Sequence, residues 1–177
     1  MKAIDIIDKY YPEGKLRDIL IIHSEKVRDK ALECVRRAGH WYDEELVRDG
    51  AMLHDIGIFL CDAPGIECHG SIPYIQHGVE GGKILRKEGY PMLARIAERH
   101  TGTGLTYEDL VKLNFPLPLI NMMPNTIEEK AVCYADKFFS KSGDPSREKT
   151  LEEVIESIRP HGEDALRRFM ELHLLFQ

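Results

Sequence analysis

AMLHDIGIFL, residues 51–60, sets an adjacent histidine and aspartate, His54 and Asp55, in the middle of an apolar run. A carboxylate buried among alkyl groups is costly unless a cation or several hydrogen-bond donors meet it. The stretch therefore predicts that other parts of the chain bring partners to Asp55. Just upstream, Asp43 followed by Glu44 and Glu45 reads as the capped, acidic start of a helix. That helix carries Leu46, Val47, Ala51 and His54, and Gly57 reads as its terminator.

Working outward, helix signals dominate. Ala3 to Tyr10 reads as a short helix closed by Pro12 and Gly14. Lys15 to Arg37 reads as a long one, with Leu16, Leu20, His23, Val27, Ala31 and Cys34 on one face and Gly39 at its end. Further helices are expected from Ile75 to Glu88, stopped by Gly89, and from Pro91 onward, where Leu93, Ile96, Ala97 and His100 share a face. Thr126 with Glu129 and Thr150 with Glu153 form capping-box patterns. Ile127, Ala131, Tyr134, Ala135 and Phe138 line the inner face of the first of these two helices. Pro160-His161-Gly162 breaks the last helical stretch. Residues 58–74 and 101–125, rich in proline and glycine, read as irregular, and no run alternates well enough to predict a strand. The fold class that follows is all-α.

Length and composition suit an ordinary globular chain: 177 residues, 43% hydrophobic and 31% charged. We expect a single domain over 1–177, with a core at about 15–141 and a C-terminal helical extension over 150–177. The net charge of −6 argues against a sequence-nonspecific nucleic-acid binder, which needs a basic face. No stretch approaches the ~18 apolar residues of a membrane span. The N-terminal MKAIDIIDKYY lacks the apolar core of a signal peptide. Cys34, Cys61, Cys68 and Cys133 form no C-x-x-C pair, and the spacing of Cys61, Cys68 and His69 matches no common zinc pattern. Reduced thiols in a cytoplasm are expected.

Six residues stand out: His23, His54, Asp55, His77, His100 and Asp136, one or two per predicted helix and each flanked by apolar neighbours. A lone inward histidine is more often a hydrogen-bonded core residue than a ligand, and a lone buried aspartate is often a cap. Six together are harder to dismiss. Four imidazoles and two carboxylates converging in a bundle make a mixed nitrogen and oxygen site for a divalent metal. The cation would neutralise the carboxylates, which answers the question Asp55 raises.

The order His23, His54-Asp55, His77, His100, Asp136, with YADK around the last aspartate, resembles the HD superfamily of metal-dependent phosphohydrolases over roughly residues 15–141. The resemblance implies an HD-domain helical bundle with its metal site in the core. It implies one metal on His23, His54, Asp55 and Asp136. His77 and His100 match the two extra histidines of members that hold two metals, with Asp55 bridging. In this ligand set the chain is similar to bacterial hydrolases that split diadenosine tetraphosphate symmetrically. It departs from related patterns too. Ile58 stands where HDIG phosphodiesterases commonly carry a lysine, so that phosphate contact is not expected. The extended GYP signature is absent. Ile58 and Phe59 stand where alarmone hydrolases and one-metal nucleotidases carry an acid, which counts against both.

Two metals about 3.5–4 Å apart would yield a bridging hydroxide for in-line attack on phosphorus. The function this implies is hydrolysis of a nucleotide or dinucleotide phosphoester or phosphoanhydride, with Asp55 central to catalysis. Iron, manganese or another transition metal is expected, with magnesium or zinc as alternatives. Lys83, six residues after His77, is the candidate phosphate clamp, and Lys137 follows Asp136. Arg99 reads as surface. His69 is read as no direct ligand, and His40, His161 and His173 as outside the site. Residues 58–74 and 101–125 are expected to wall a pocket over the metals, with Phe59, Tyr74, Tyr107 and Phe115 available to stack on a base. The expected partner is a phosphorylated small molecule, read as a nucleotide, with a homodimer left open and neither membrane nor nucleic acid expected. Two rival functions stand beside the hydrolase: a metal-dependent nucleotide-sensing module, and a dinuclear-iron oxygenase on the same scaffold.

Overall fold

The computed structural model describes residues 3–177, so Met1 and Lys2 of the expected 1–177 unit lie outside the described residues. Nine α-helices are present among them: α1 (Ala3–Tyr10), α2 (Lys15–Ala38), α3 (Glu44–Leu53), α4 (His77–Lys87), α5 (Pro91–Arg99), α6 (Tyr107–Leu113), α7 (Ile127–Asp136), α8 (Leu151–Ile158) and α9 (Glu163–Phe176). The fold is all-α. The starts lie where the sequence signals put them. Asp43 accepts a hydrogen bond from the Leu46 amide at the head of α3. Thr126 with Glu129 and Thr150 with Glu153 complete reciprocal capping boxes on α7 and α8. Gly39 takes the left-handed conformation (φ 68°) after α2.

Three departures from the expectation have local causes. Helix α3 stops at Leu53 rather than running to Gly57. The backbone of α4 crosses there, so a Cβ at position 57 would stand 2.6 Å from the Gly81 nitrogen. The chain between Leu53 and Cys61 winds in tight turns instead, with Ile56 N–H donating to Leu53 O and Ile58 N–H to Asp55 O. Helix α6 interrupts a segment expected to be irregular. Its signal is a third capping box, Thr106 with Asp109. Within residues 58–74 a short antiparallel pair forms, β1 (Asp62–Ala63) against β2 (Cys68–His69), too brief for its alternation to be read from sequence.

Two apolar clusters make the core. One joins the N-terminal part of α2 to α1, α3, α4 and α5 through Ile7, Leu20, Leu53, Leu85 and Ala97. The other joins the rest of α2 to α7, α8 and α9 through Val27, Ala31, Val132, Val154, Phe169 and Phe176. On α2, His23 falls between Leu20 of the first cluster and Val27 of the second. The single buried stripe of this helix thus carries an imidazole into the seam between the two. Among the described residues no helix is long and apolar enough to cross a membrane.

Candidate metal centre

His23, His54, Asp55, His77 and His100 are all buried, and Asp136 is nearly so. They reach the seam from five segments: α2, the turn after α3, which carries both His54 and Asp55, the start of α4, the end of α5 and the end of α7. The six sort into two groups of converging donor atoms, His23 with His54, Asp55 and Asp136, and Asp55 with His77 and His100.

Asp55 divides between them. Its Oδ2 lies 3.3 Å from His23 Nε2 and 3.2 Å from His54 Nε2. Its Oδ1 lies 3.3 Å from both His77 Nε2 and His100 Nε2. Asp136 Oδ1 closes the first group, 3.1 Å from His23 Nε2 and 3.4 Å from His54 Nε2.

Three of the four imidazoles are oriented by the same device. Nδ1 of His54, His77 and His100 lies 2.6, 2.6 and 2.7 Å from the carbonyl oxygen three residues back, at Ala51, Tyr74 and Ala97. A carbonyl can only accept, so Nδ1 donates in each and Nε2 faces the cluster, where its lone pair is available to a metal once it carries no proton. Yet His54 Nε2 and Asp55 Oδ1 are buried without a hydrogen-bond partner. Orphaned polar atoms inside a protein are rare. One lies in each group of donors, among imidazoles whose Nε2 faces the cluster, which fits divalent cations, and the two groups could hold such ions.

Charge balance without metal shows the same demand. Burial works against the His54 imidazolium, but the carboxylates of Asp55 and Asp136 outweigh it and raise the group to about 9. Burial, with the charge of His54 adding to it, lowers His100 to about 4. Burial also opposes the Asp55 carboxylate, yet His54 and Lys141 hold it well below the usual carboxylate range.

Two lysines complete the cluster. Lys141 Nζ donates to Asp55 Oδ2 at 2.6 Å. Lys137 Nζ donates to Asp136 Oδ2 at 2.7 Å and to the His100 carbonyl at 2.9 Å. Both side chains are largely buried. Lys137 was noted in the sequence only as the neighbour of Asp136. Lys141 was not singled out, although the spacing of lysines four apart in DKFFSK, amid apolar residues, is its trace.

Lys83, the clamp expected from sequence, does not join them. It is 66% exposed and pairs with Glu80 at 2.6 Å, because the sixth position after His77 has turned to the solvent face of α4. His69 is also solvent-facing, beside Glu67. Arg99, read as surface, instead lies partly buried and pairs with Glu129 at 3.2 Å.

The cluster opens to two clefts. One, of about 250 Å³, lies over His77, His100 and Asp136 and is lined also by Tyr74, Lys137 and Lys141. The other, of about 420 Å³, continues past Lys137 and Lys141 to Ser140, Ser142 and Lys149. Tyr74 stacks on His77, with ring centroids 4.4 Å apart. Of the other aromatics expected to stack on a base, Phe59 packs edge-on against Tyr11 in the core, and Tyr107 is exposed on α6.

A family model described as "HD domain" matches residues 20–141. Among curated proteins, the chain is 36% identical over 173 residues to a tRNA (cytidine(56)-2'-O)-methyltransferase of Thermoplasma volcanium, covering 97% of this chain and 44% of that protein. It is 40% identical over 136 residues to an uncharacterized protein of Methanocaldococcus jannaschii, covering 76% of this chain and 72% of that protein. The chain thus spans less than half the length of the methyltransferase relative. Among solved structures, the HD domain of the phosphodiesterase PgpH from L. monocytogenes superposes with a TM-score of 0.56 at 19% identity, covering 94% of each chain. At that identity the likeness concerns the fold.

Proposed function

The chain belongs to the HD domain family, and from that premise we propose that it is a two-metal phosphohydrolase of a nucleotide or dinucleotide phosphoester or phosphoanhydride. One observation carries the reading: the two oxygens of Asp55 face two separate pairs of imidazoles, His23 with His54 and His77 with His100. A carboxylate in that position suits a bridge between two cations. A mere hydrogen-bonded core would leave no such orphaned polar atoms.

His23, His54, Asp55 and Asp136 would hold one ion, and Asp55, His77 and His100 the other. The second set offers only three protein donors, which leaves room for water and substrate. When bound, the ions would supply an activated water and offset charge on the phosphoryl oxygens. The chain's own contribution is positioning. The carbonyls of Ala51, Tyr74 and Ala97 fix three imidazoles. The ammonium groups of Lys137 and Lys141 stand where phosphoryl oxygens would meet them, replacing the lysine that HDIG phosphodiesterases commonly carry at position 58.

The methyltransferase name of the longer relative is not carried over. The chain matches less than half of that protein, so the activity its name states does not follow from the match. The test is a panel of nucleotides, cyclic and linear dinucleotides and dinucleoside polyphosphates, offered to protein reconstituted with manganese, iron or magnesium. Release of phosphate or nucleotide that depends on metal and is lost in Asp55→Ala is expected. A loaded protein that turns over no phosphoester or phosphoanhydride overturns the reading.

A further inference from the structure

A third cavity, of about 690 Å³, adjoins the metal centre. Ile75, Thr101 and Gly102 line both this chamber and the cleft over His77 and His100, so the two lie side by side and share a wall. Its far wall is built by Pro160 to Ala165 and Arg168, at the start of α9. Those residues lie beyond the stretch 20–141 that the family model matches.

We propose that this chamber receives the nucleoside of the substrate, while its phosphates extend toward the lysine-lined cleft. The proposal rests on the phosphohydrolase reading above and specifies the substrate class. Size is the first argument, since pockets for small organic ligands run at roughly 300–1,000 Å³. Lining is the second. Ile75, Leu113 and Phe115 offer apolar and aromatic faces for a flat base. At the inner end Arg168 donates to Asp109 Oδ2 at 2.6 Å and to the Gly104 carbonyl at 3.4 Å. Thr103 and Lys112 also line the chamber. A base edge or a ribose carries the donors and acceptors that such a mixed wall can satisfy.

Charge supplies the orientation. The chamber wall carries Asp109, Glu163 and Asp164 beside Lys112 and Arg168, and Arg168 is paired with Asp109, so it offers no net positive charge to a phosphate. Lys137, Lys141 and Lys149, with Asp136 the one acid among the lining residues, line the larger cleft beside the cluster and favour phosphate. A phosphorus atom at the metal centre would therefore have a room for the organic group and a cationic groove for further phosphates close by.

The test reads binding rather than turnover. Isothermal titration calorimetry on manganese-loaded protein would compare adenosine, guanosine, cytidine and uridine 5'-monophosphates with inorganic phosphate. Leu113→Trp fills the chamber from its rim, where Leu113 is 51% exposed and a larger side chain disturbs no core. Ala165→Trp fills it from α9, and if that variant fails to fold, Leu113→Trp decides alone. At least one nucleotide is expected to bind the wild type more tightly than inorganic phosphate. Each tryptophan should weaken that nucleotide by about tenfold, equivalent to ~1.4 kcal/mol, and leave inorganic phosphate unchanged. Nucleotides that bind no better than inorganic phosphate would overturn the proposal. So would nucleotide affinity untouched by the tryptophans, or an equal loss of inorganic phosphate. A protein that binds as expected yet hydrolyses nothing keeps the chamber and loses the enzyme, so the two failures are distinguishable.

Discussion

At Asp55 the competing demands of the site meet on one carboxylate: four imidazoles share its two oxygens, and the Lys141 ammonium claims one of them. In the metal-free protein His54 keeps its proton up to about pH 9, whereas His100 gives its proton up near pH 4. The signs differ. The raised His54 value stabilises the metal-free fold fully below the ordinary histidine value of about 6.5, and that contribution fades as pH rises through about 9. The lowered His100 value contributes above about 6.5 and is lost as pH falls toward about 4. These two groups together place the greatest stability of the metal-free chain near pH 6.5, which thermal melts in chelator across pH 4–9 would check. Metal must displace the His54 proton, so calorimetry at pH 7 should show proton release on loading and tighter binding as pH rises to about 9. Lys141→Met should lower kcat/KM for a phosphate substrate by about 10²-fold with metal content unchanged. His23 was legible because the buried stripe of α2 fixes its phase, and the other histidines and aspartates because each adjoins an apolar helical run and their order matches the family pattern. Lys141 was not, because it follows the end of α7, where no periodicity says which way a side chain turns.

Elements hold these residues in register mainly through close backbone contacts and caps. The glycine of His54-Asp55-Ile56-Gly57 has a steric reason to be there: α4 passes so near that a Cβ at Gly57 would strike the backbone of His77 and Gly81. Gly78 faces the Ala97 carbonyl of α5 in the same way. Gly57→Ala is therefore expected to cost about 1–3 kcal/mol and to loosen His77 from Asp55. Denaturant melts with metal titration would report both. Glu129 links a cap to the site. It closes the capping box of α7 and, only 2% exposed, pairs with Arg95 at 2.8 Å and Arg99 at 3.2 Å on α5. It thereby ties the helix that ends in Asp136 to the one that leads into His100. Glu129→Ala should destabilise by about 2–3 kcal/mol, less than a fully buried pair because both arginines are partly exposed. The boxes of α7 and α8 could be read from Thr and Glu three apart. That of α6 ends in aspartate and runs into a proline-rich segment, which masked it.

For the whole molecule, the C-terminal helices are more than an appendage. Phe169 and Phe176 of α9 are buried, and Tyr134 of α7 stacks on Phe169 with centroids 5.5 Å apart. We read residues 150–177 as part of the same folding unit as the metal centre. Phe169→Ala is expected to cost about 3–5 kcal/mol and to lower the melting of the entire chain in one transition rather than two. The sequence announced helices here but not their destination, since an amphipathic stripe says that a face is buried and not against what. The central claim is that Asp55 joins two metal ions in this seam. Metal content after manganese reconstitution and gel filtration, measured by elemental analysis, tests it most directly. Two ions per chain are expected in the wild type, one in His77→Ala or His100→Ala, and none in Asp55→Ala. A wild-type content of one, or an Asp55→Ala protein as fully loaded as the wild type, would contradict the account.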